Sequence, residues 1–244
     1  MGGCNAGGTI LVMVTPGERV ASQERGCGRL LAALEESGTP LVRLRYGSGD
    51  VIYGGDEAGR ALYVLTGGVA KLFVSYRAHA GSRNATCLLL GSGEVFGYPL
   101  FAGRRAGRIP AEAFTDCELI KIPVAFQERM MRWQPEVALE VVALLERRLA
   151  EYEELVGCLL PRRTEIRLAR VLPILVRKFG ERSKGGATAI GLGLTRTDLA
   201  EMTASTRESV TAAVIRLRRK GILAMEAGRI VLLDPKRLAE IGRR

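Results

Sequence analysis

The spacing of glycine and apolar residues changes abruptly along the chain, and this change constrains the fold more than any other feature. From about residue 40 to 123, short apolar and β-branched runs are separated by glycine-rich turns. That texture is typical of an antiparallel sandwich or roll, because tight reversals between short strands favour glycine. Between Pro135 and Leu160 the apolar residues recur instead with a helical period. The sequence therefore predicts an α+β chain in which an antiparallel sandwich or roll precedes one long helix.

The predicted long helix carries an apolar seam with one charged member. Alternating steps of four and three residues, a spacing typical of coiled coils, connect Val141, Leu145, Arg148, Tyr152, Leu155 and Leu159. An arginine at a core position is costly unless it meets an anion. Two interpretations of Arg148 are open. In the first, Arg148 pairs with Glu146, Glu151 or Glu153, or bends outward into solvent. In the second, Arg148 points toward the β-rich part of the chain and binds a small anion.

The net charge of +10 is concentrated in the last third of the chain. Residues 1–161 contain 17 basic and 18 acidic residues, which leaves 19 basic and 8 acidic residues for 162–244. A basic domain joined to a neutral one predicts a polyanionic partner, most often a nucleic acid. A chromatin-type protein that binds DNA without sequence preference is one alternative at this point.

Several other function classes conflict with the composition. The chain has no apolar run of about 18 residues, so neither a spanning helix nor a membrane partner is predicted, and a cytoplasmic location is expected. The five cysteines are widely spaced and His79 is the only histidine, so no metal site is predicted. No Ser/His/Asp or Cys/His set is available, so no catalytic residues and no enzyme activity are predicted.

Residues 194–223 contain two short helical patterns joined by a turn. Thr195 or Thr197 can cap the first helix, and Ser205 or Thr206 can cap the second. The apolar residues of the second helix recur at i, i+4 and i+7, so the opposite side of that helix faces solvent. This arrangement predicts a helix-turn-helix, whose second helix reads base edges in the major groove.

The exposed side of the second helix offers groups suited to bases and phosphates. Arg207 can bond guanine through O6 and N7, and Glu208 can accept from cytosine N4. The hairpin predicted after Gly221 is a wing, whose Arg229 can reach a phosphate. The candidate DNA-binding residues are Arg196, Ser205, Thr206, Arg207, Glu208, Thr211 and Arg229.

Residues 40–235 resemble the CRP/FNR family of bacterial transcription regulators. The resemblance is carried by GDVIYGGDEAGRALYVLTGGVAKL, by FGYPLFAGRRAGR and by TRTDLAEMTASTRESVTAAVIRLRRKGI. It implies a cupin-like β-roll of the cyclic-nucleotide-binding-domain type, a long dimerisation helix and a C-terminal winged helix-turn-helix. The implied partners are a second copy of the chain, a palindromic site in double-stranded promoter DNA, and RNA polymerase.

The resemblance also sets the expected domain boundaries and base-reading positions. The predicted parts are a loose N-terminal extension (1–28), a β-roll effector domain (29–134), a dimerisation helix (135–161) and a DNA-binding domain (162–244). Arg207 and Glu208 fall on two base-reading positions of the family. The third position, an arginine in many members, is Ala212 here.

The effector segment departs from the cyclic-nucleotide-binding members of the family. Those members hold the ribose with a glutamate after Phe-Gly and the phosphate with an Arg-Ser pair. Here the glutamate position is Tyr98, the pair reads Arg108-Ile109, and Pro99 lacks an N–H. These departures argue against cyclic AMP. A cyclic-nucleotide-responsive regulator with an unusual pocket and an effector-independent regulator stay open as alternatives.

The NtcA-type global nitrogen regulators, one branch of the family, have a more similar pattern. Their 2-oxoglutarate site uses a roll arginine, a long-helix arginine and a glutamate five residues later. The matching residues here are Arg108 (or Arg104 or Arg105), Arg148 and Glu153. The resemblance implies 2-oxoglutarate as the effector and no tightly bound cofactor. The candidate effector-binding residues are Phe96, Gly97, Tyr98, Pro99, Leu100, Arg108, Arg148 and Glu153.

Overall fold

The chain folds into two compact units in the computed structural model. The structure describes residues 10–13, 30, 32, 42–54, 61–78, 81–97, 109–123, 135–183 and 186–244. One unit comprises the described residues up to 73 together with 88–150, and the other comprises 74–87 together with 151–244. The observed division differs from the predicted boundaries, because residues 74–87 make their contacts within the C-terminal unit.

Two antiparallel sheets form the roll. Their strands are β1 (Ile10–Met13), β2 (Val42–Tyr46), β3 (Val51–Tyr53), β4 (Ala61–Gly67), β5 (Ala70–Ala78), β6 (Gly81–Leu90), β7 (Val95–Gly97), β8 (Ala111–Ala113) and β9 (Cys117–Pro123). One sheet has the order β1-β2-β9-β4-β7, and the other has the order β3-β8-β5-β6. The paired strands run antiparallel, which confirms the predicted roll.

The N-terminal segment differs from the prediction. Ile10–Met13 lie inside the predicted loose extension, yet they form β1 and pair antiparallel with Val42–Tyr46. Their sequence, ILVM, is an uninterrupted apolar run, and such a run gains backbone hydrogen bonds by joining a sheet edge. The rest of the predicted extension lies outside the described residues.

Strand β4 organises the part of the roll that bears on function. It pairs with β9 on one side and with β7 on the other. Val64 and Leu65 of β4 are fully buried, and Ile120 of β9 is buried beside them. This buried centre fixes the backbone of β7, and with it Phe96 and Gly97.

The predicted long helix is confirmed as α1 (Pro135–Leu159). A short connection leads from it into α2 (Thr164–Phe179). Among the described helices, none combines the length and the hydropathy that crossing a bilayer requires.

The remainder of the second unit is a winged helical domain. Its elements are β10 (Gly180–Arg182), β11 (Thr188–Ile190), α3 (Arg196–Met202), α4 (Arg207–Arg219), β12 (Leu223–Glu226), β13 (Arg229–Leu232) and α5 (Pro235–Gly242). The strands form one sheet in the order β10-β11-β13-β12. Between β12 and β13, Ala227 and Gly228 have φ values of 47° and 79°, as a two-residue hairpin turn of the primed kind requires. The predicted wing hairpin is therefore present.

Candidate DNA-binding and effector sites

Two short helices form the predicted helix-turn-helix, and each begins at a threonine. Thr195 caps α3 with a capping box: the Asp198 N–H donates to Thr195 Oγ1 at 3.1 Å, and the Thr195 N–H donates to Asp198 Oδ2 at 2.7 Å. Thr206 caps α4 by accepting the Ser209 N–H at 3.2 Å. Of the alternatives open from the sequence, the structure selects Thr195 and Thr206.

The α3 cap gives a testable stability difference. Thr195→Ala removes the acceptor for the Asp198 N–H and should lower the free energy of unfolding by about 1–2 kcal/mol. Thr197→Ala, two residues later on the exposed side of α3, is the matched control and should change it by less than about 0.5 kcal/mol. Urea denaturation of both variants measures the difference. Equal losses would show that the capping box does not stabilise the domain.

Arg167 of α2 holds the turn between α3 and α4 through hydrogen bonds. Arg167 donates from Nη1 to the carbonyls of Thr203 at 3.0 Å and Ala204 at 3.1 Å, and from Nε to the carbonyl of Pro161 at 2.6 Å. Ala204 has a φ of 45°, a conformation that non-glycine residues seldom adopt. Three carbonyl contacts from one guanidinium thus fix an unusual turn to a neighbouring helix.

Helix α4 has one buried and one exposed side. Val210, Val214 and Leu217 are buried, as their spacing predicts. Arg207 and Glu208 are exposed at the beginning of the helix. An exposed arginine and an exposed carboxylate in the first turn match the arrangement that reads base edges.

Glu208 is held in its ionised form. Its own backbone N–H and the Thr206 hydroxyl lower the pKa of the Glu208 carboxyl, and the guanidinium groups of Arg207 and Arg83 lower it further. An ionised carboxylate is an acceptor only. Glu208 is therefore suited to accept from a base amino group such as cytosine N4.

The other predicted DNA-binding residues differ in their contacts within the protein. The Ser205 hydroxyl donates to the Thr203 carbonyl at 3.0 Å, and that of Thr211 donates to the Arg207 carbonyl at 2.7 Å. Arg229 in the wing forms an exposed ion pair with Glu181 at 2.8 Å. Partial burial lowers the pKa of Arg196, and nearby Arg218 lowers it further, so Arg196 belongs to a positively charged surface.

A hairpin distant in sequence meets the beginning of α4. Residues 74–87, the far half of the β5–β6 hairpin, belong to the C-terminal unit. The Thr86 hydroxyl donates to Glu201 Oε2 at 3.4 Å. Hairpin and helix-turn-helix together line a cavity of about 340 Å³ whose walls include Tyr76, Arg83, Asn84, Thr197, Glu201, Ser205, Thr206, Arg207 and Glu208. Four of the predicted DNA-binding residues therefore share this cavity with the hairpin.

The beginning of the predicted effector segment is closely packed. Phe96 is buried and stacks on Tyr53 and Tyr63, with ring centroids 6.1 and 5.5 Å away. Gly97 has a φ of 100°, and a Cβ there would lie 2.4 Å from the Ala61 carbonyl oxygen, so only glycine fits. Of the other candidates, Tyr98, Pro99, Leu100 and Arg108 lie outside the described residues, as do the alternatives Arg104 and Arg105.

Arg148 faces the roll. Its Nη2 donates to the Val95 carbonyl at 3.1 Å, and its Nη1 lies 3.5 Å from Glu94 Oε1. The side chain is 17% exposed. Of the two interpretations open from the sequence, the structure agrees with the one in which Arg148 points toward the β-roll, and anion binding by Arg148 stays a prediction. The contact is made at the strand that leads into the effector segment.

The exposed apolar side of α1 is shifted by one residue from the predicted seam at four positions, Val141, Arg148, Leu155 and Leu159. Val141 is buried within the first unit, and Arg148 contacts the roll. The exposed apolar side chains form a stripe made of Leu139, Val142, Leu145, Leu149, Val156 and Leu160. Because an α-helix turns about 100° per residue, a one-residue shift in the heptad moves a seam to the neighbouring face.

Glu153 does not share the face of Arg148. Five residues along an α-helix rotate a side chain by about 140°. Glu153 is exposed and lies between Leu149 and Val156 along the exposed apolar stripe, because residues three and four apart are neighbours on a helix surface. Within one chain, Arg148 therefore points to the roll while Glu153 lies beside the stripe.

Two comparisons identify the family. A model of the Crp-like helix-turn-helix domain matches residues 166–241. The global nitrogen regulator of Synechococcus elongatus is 31% identical over 216 residues, which cover 86% of this chain and 96% of the relative. The chain belongs to the CRP/FNR family.

Other CRP/FNR proteins are similar over most of their length. A global nitrogen regulator of Nostoc is 31% identical over 202 residues, covering 82% of this chain and 88% of the relative. The cyclic AMP receptor protein of Thermus thermophilus is 29% identical over 204 residues, with the same two coverages of 82% and 88%. Nitrogen regulators and a cyclic AMP receptor protein are thus similar to this chain to nearly the same degree, which establishes the family and leaves the effector open.

Solved CRP/FNR structures confirm the predicted fold class. A CRP-family regulator of Thermus thermophilus is 25% identical with a TM-score of 0.68, covering 82% of this chain and 96% of that one. FixK2 of Bradyrhizobium japonicum has a TM-score of 0.70 at 24% identity, with the same coverages of 82% and 96%. This CRP/FNR member is accordingly a DNA-binding transcription regulator and not an enzyme.

Sequence reasoning missed three contributors to these sites. Arg167, Glu94 and the 74–87 hairpin each act through contacts with residues far away in sequence. Only Glu94 had a local signal, since it lies two residues before Phe96 in the effector motif. In the part of the chain that the structure describes, no group of three or more His, Cys, Asp or Glu side chains could hold a metal ion.

Proposed function

We propose that this protein is a homodimeric regulator whose affinity for a palindromic promoter site is gated by 2-oxoglutarate. The observation that carries the proposal is the position of the Arg148 guanidinium. It reaches the Val95 carbonyl at 3.1 Å, three residues before Tyr98 in the effector segment. A carboxylate bound at that segment would lie within reach of an arginine on the long helix.

The chemistry of Arg148 suits a carboxylate ligand. A guanidinium presents paired N–H donors that match the two oxygens of a carboxylate, and burial strengthens such pairs. A dicarboxylate also needs a second cation, for which Arg108 is the candidate and Arg104 and Arg105 the alternatives. Two of the relatives are called global nitrogen regulators, which favours 2-oxoglutarate over cyclic AMP as the effector.

The exposed apolar stripe of α1 supports the homodimer. Six large apolar side chains on one helix side, each at least 45% exposed, are unfavourable in water unless a second copy covers them. Two such helices in parallel would set the two reading helices about one DNA turn apart, the spacing of half-sites in a palindrome. Arg207 and Glu208 would then read each half-site, and RNA polymerase would be the partner at the promoter.

The stripe gives a test of the dimer. Leu149→Glu places a carboxylate in the stripe of both copies and should weaken dimerisation by about 100-fold, because two buried leucines contribute roughly 3 kcal/mol. Ala150→Glu adds the same charge at the next exposed position outside the stripe and should leave dimerisation unchanged. Sedimentation equilibrium measures both. Equal effects of the two changes would contradict pairing through the stripe.

The effector is tested by calorimetric titration of the dimer with 2-oxoglutarate and, separately, with cyclic AMP. DNA affinity is measured with and without each ligand. Saturable binding of 2-oxoglutarate that tightens DNA binding is expected. Response to cyclic AMP alone would favour an unusual cyclic-nucleotide pocket. Full DNA affinity with no response to either ligand would favour an effector-independent regulator.

A further inference from the structure

The far half of the β5–β6 hairpin is in contact with the helix-turn-helix. Residues 74–87 belong to the second unit. Thr86 in this segment is only 4% exposed, and its hydroxyl donates to Glu201 Oε2 of α3 at 3.4 Å. Ser75 donates from Oγ to Asn84 Oδ1 at 2.8 Å, so a side-chain bond joins the two strands of the hairpin. The hairpin is therefore attached to α3 through a buried side chain.

The space between the hairpin and α4 is small. The cavity that they share has a volume of about 340 Å³. That is room for roughly ten water molecules at about 30 Å³ each. The hairpin and the beginning of α4 both line it, through Tyr76, Arg83 and Asn84 on the hairpin and Thr206, Arg207 and Glu208 on the helix. The groups suited to reading bases thus share a narrow space with another part of the same chain.

Arg83 places a positive charge near the carboxylate of Glu208. The pKa of the Glu208 carboxyl is lowered mainly by its own backbone N–H and by the Thr206 hydroxyl, and the guanidinium groups of Arg207 and Arg83 lower it further. Arg83 and Glu208 are both exposed, so their attraction is weak and can be exchanged for another contact. In the free protein, Arg83 thus offers Glu208 a donor of the kind that a cytosine amino group offers in DNA.

The hairpin and DNA cannot occupy the beginning of α4 at the same time. A helix with its side chains is about 10–12 Å across, and the major groove of B-DNA is about 12 Å wide. A helix that reads bases therefore fills the groove, and its first turn contacts base edges directly. A two-stranded hairpin beside that turn would collide with the walls of the groove.

We infer that the 74–87 hairpin masks the beginning of α4, and that Arg83 and Thr86 hold it there in competition with operator DNA. Only molecules whose hairpin has left α4 can bind the operator. The apparent affinity is then the intrinsic affinity multiplied by the unmasked fraction. This inference goes beyond the proposed function, because masking requires neither an effector nor a second copy of the chain.

The variant Arg83→Gln tests the mask through the sign of its effect. It removes a positive charge, and loss of a charge that contacts DNA weakens binding. If Arg83 holds the mask, the variant should instead bind the operator about two- to fivefold more tightly, as the weak attraction of an exposed ion pair predicts. Fluorescence anisotropy without any ligand, on an operator selected from random duplexes, measures the change.

Arg77→Gln is the matched control. Arg77 is exposed on the same hairpin, but neighbouring residues of a strand point to opposite sides, and it is Tyr76 that lines the cavity. Arg77→Gln should leave operator affinity unchanged or lower it slightly. Thr86→Val removes the bond to Glu201 and should tighten operator binding by about two- to tenfold. Operator binding no tighter than that of Arg77→Gln, in Arg83→Gln or in folded Thr86→Val, overturns the inference.

A second measurement detects release of the hairpin directly. Tyr76 lines the cavity and is 39% exposed in the free protein. Hydroxyl-radical labelling, read by mass spectrometry, should modify Tyr76 faster when saturating operator is added, because the hairpin then leaves α4. Tyr46 of β2, in the first unit, is the control and should be labelled at the same rate with and without DNA. Slower or unchanged labelling of Tyr76 would show that the hairpin stays beside α4 or contacts DNA, and the inference would be wrong.

Discussion

Arg207→Ala is expected to weaken binding to the specific operator by one to four orders of magnitude. A bidentate arginine–guanine contact is worth about 1–3 kcal/mol of discrimination. A dimer makes that contact twice, so the loss is about 2–6 kcal/mol. Arg207 is the first residue of α4 and is exposed, while Thr206 before it fixes the beginning of the helix through its bond to Ser209.

The Arg207 measurement needs an operator and a matched arginine. Selection from random duplexes with the unmodified protein supplies the operator, and fluorescence anisotropy at one fixed salt concentration gives each affinity. Arg219→Ala removes the same charge from the last turn of α4, where the side chain is exposed. It should weaken operator and random DNA alike, by a smaller factor. Equal losses of operator preference in both variants would contradict base reading by Arg207.

Arg148→Gln is expected to abolish the response of DNA binding to 2-oxoglutarate while leaving the dimer intact. Two charge-assisted hydrogen bonds to a ligand carboxylate are worth about 3–6 kcal/mol, so ligand affinity should fall by at least 100-fold. The dimer should persist because Arg148 contacts Val95 and Glu94 of the roll and lies outside the exposed apolar stripe.

The control for Arg148 is its neighbour. Arg147→Gln removes the same charge from an exposed position on α1 and should retain the ligand response. Calorimetry, sedimentation and anisotropy on the two variants separate ligand affinity, dimerisation and DNA binding. A ligand response that persists in Arg148→Gln would show that Arg148 of the long helix does not bind the effector.

The fold could be predicted from the sequence where local patterns decide it. Glycine-punctuated strands predicted the roll, and the helical period predicted α1, because both patterns depend on nearest neighbours. The seam of α1 could not be located, since Val141 and Val142 both continue an apolar heptad and only the roll decides which one is buried. Arg148 is a charged residue at an otherwise apolar position of the predicted seam. In the structure it contacts the roll and lies outside the exposed apolar stripe.

The caps of the helix-turn-helix could be predicted from the sequence, but the contacts that support it could not. Thr195 and Thr206 were recognised as candidate caps because a cap acts within three residues. Glu201 and Thr86 are 115 positions apart, and no local pattern connects them. Contacts of that kind depend on the completed fold, which explains why the hairpin beside α4 was not predicted.

The guanidinium of Arg167 has a mechanical consequence. It joins the carbonyl of Pro161 to those of Thr203 and Ala204, and so links the turn between α3 and α4 to α2. Helix α2 and the beginning of α4 are therefore expected to move together. A displacement of α2 would carry Arg207 with it rather than being absorbed by the turn.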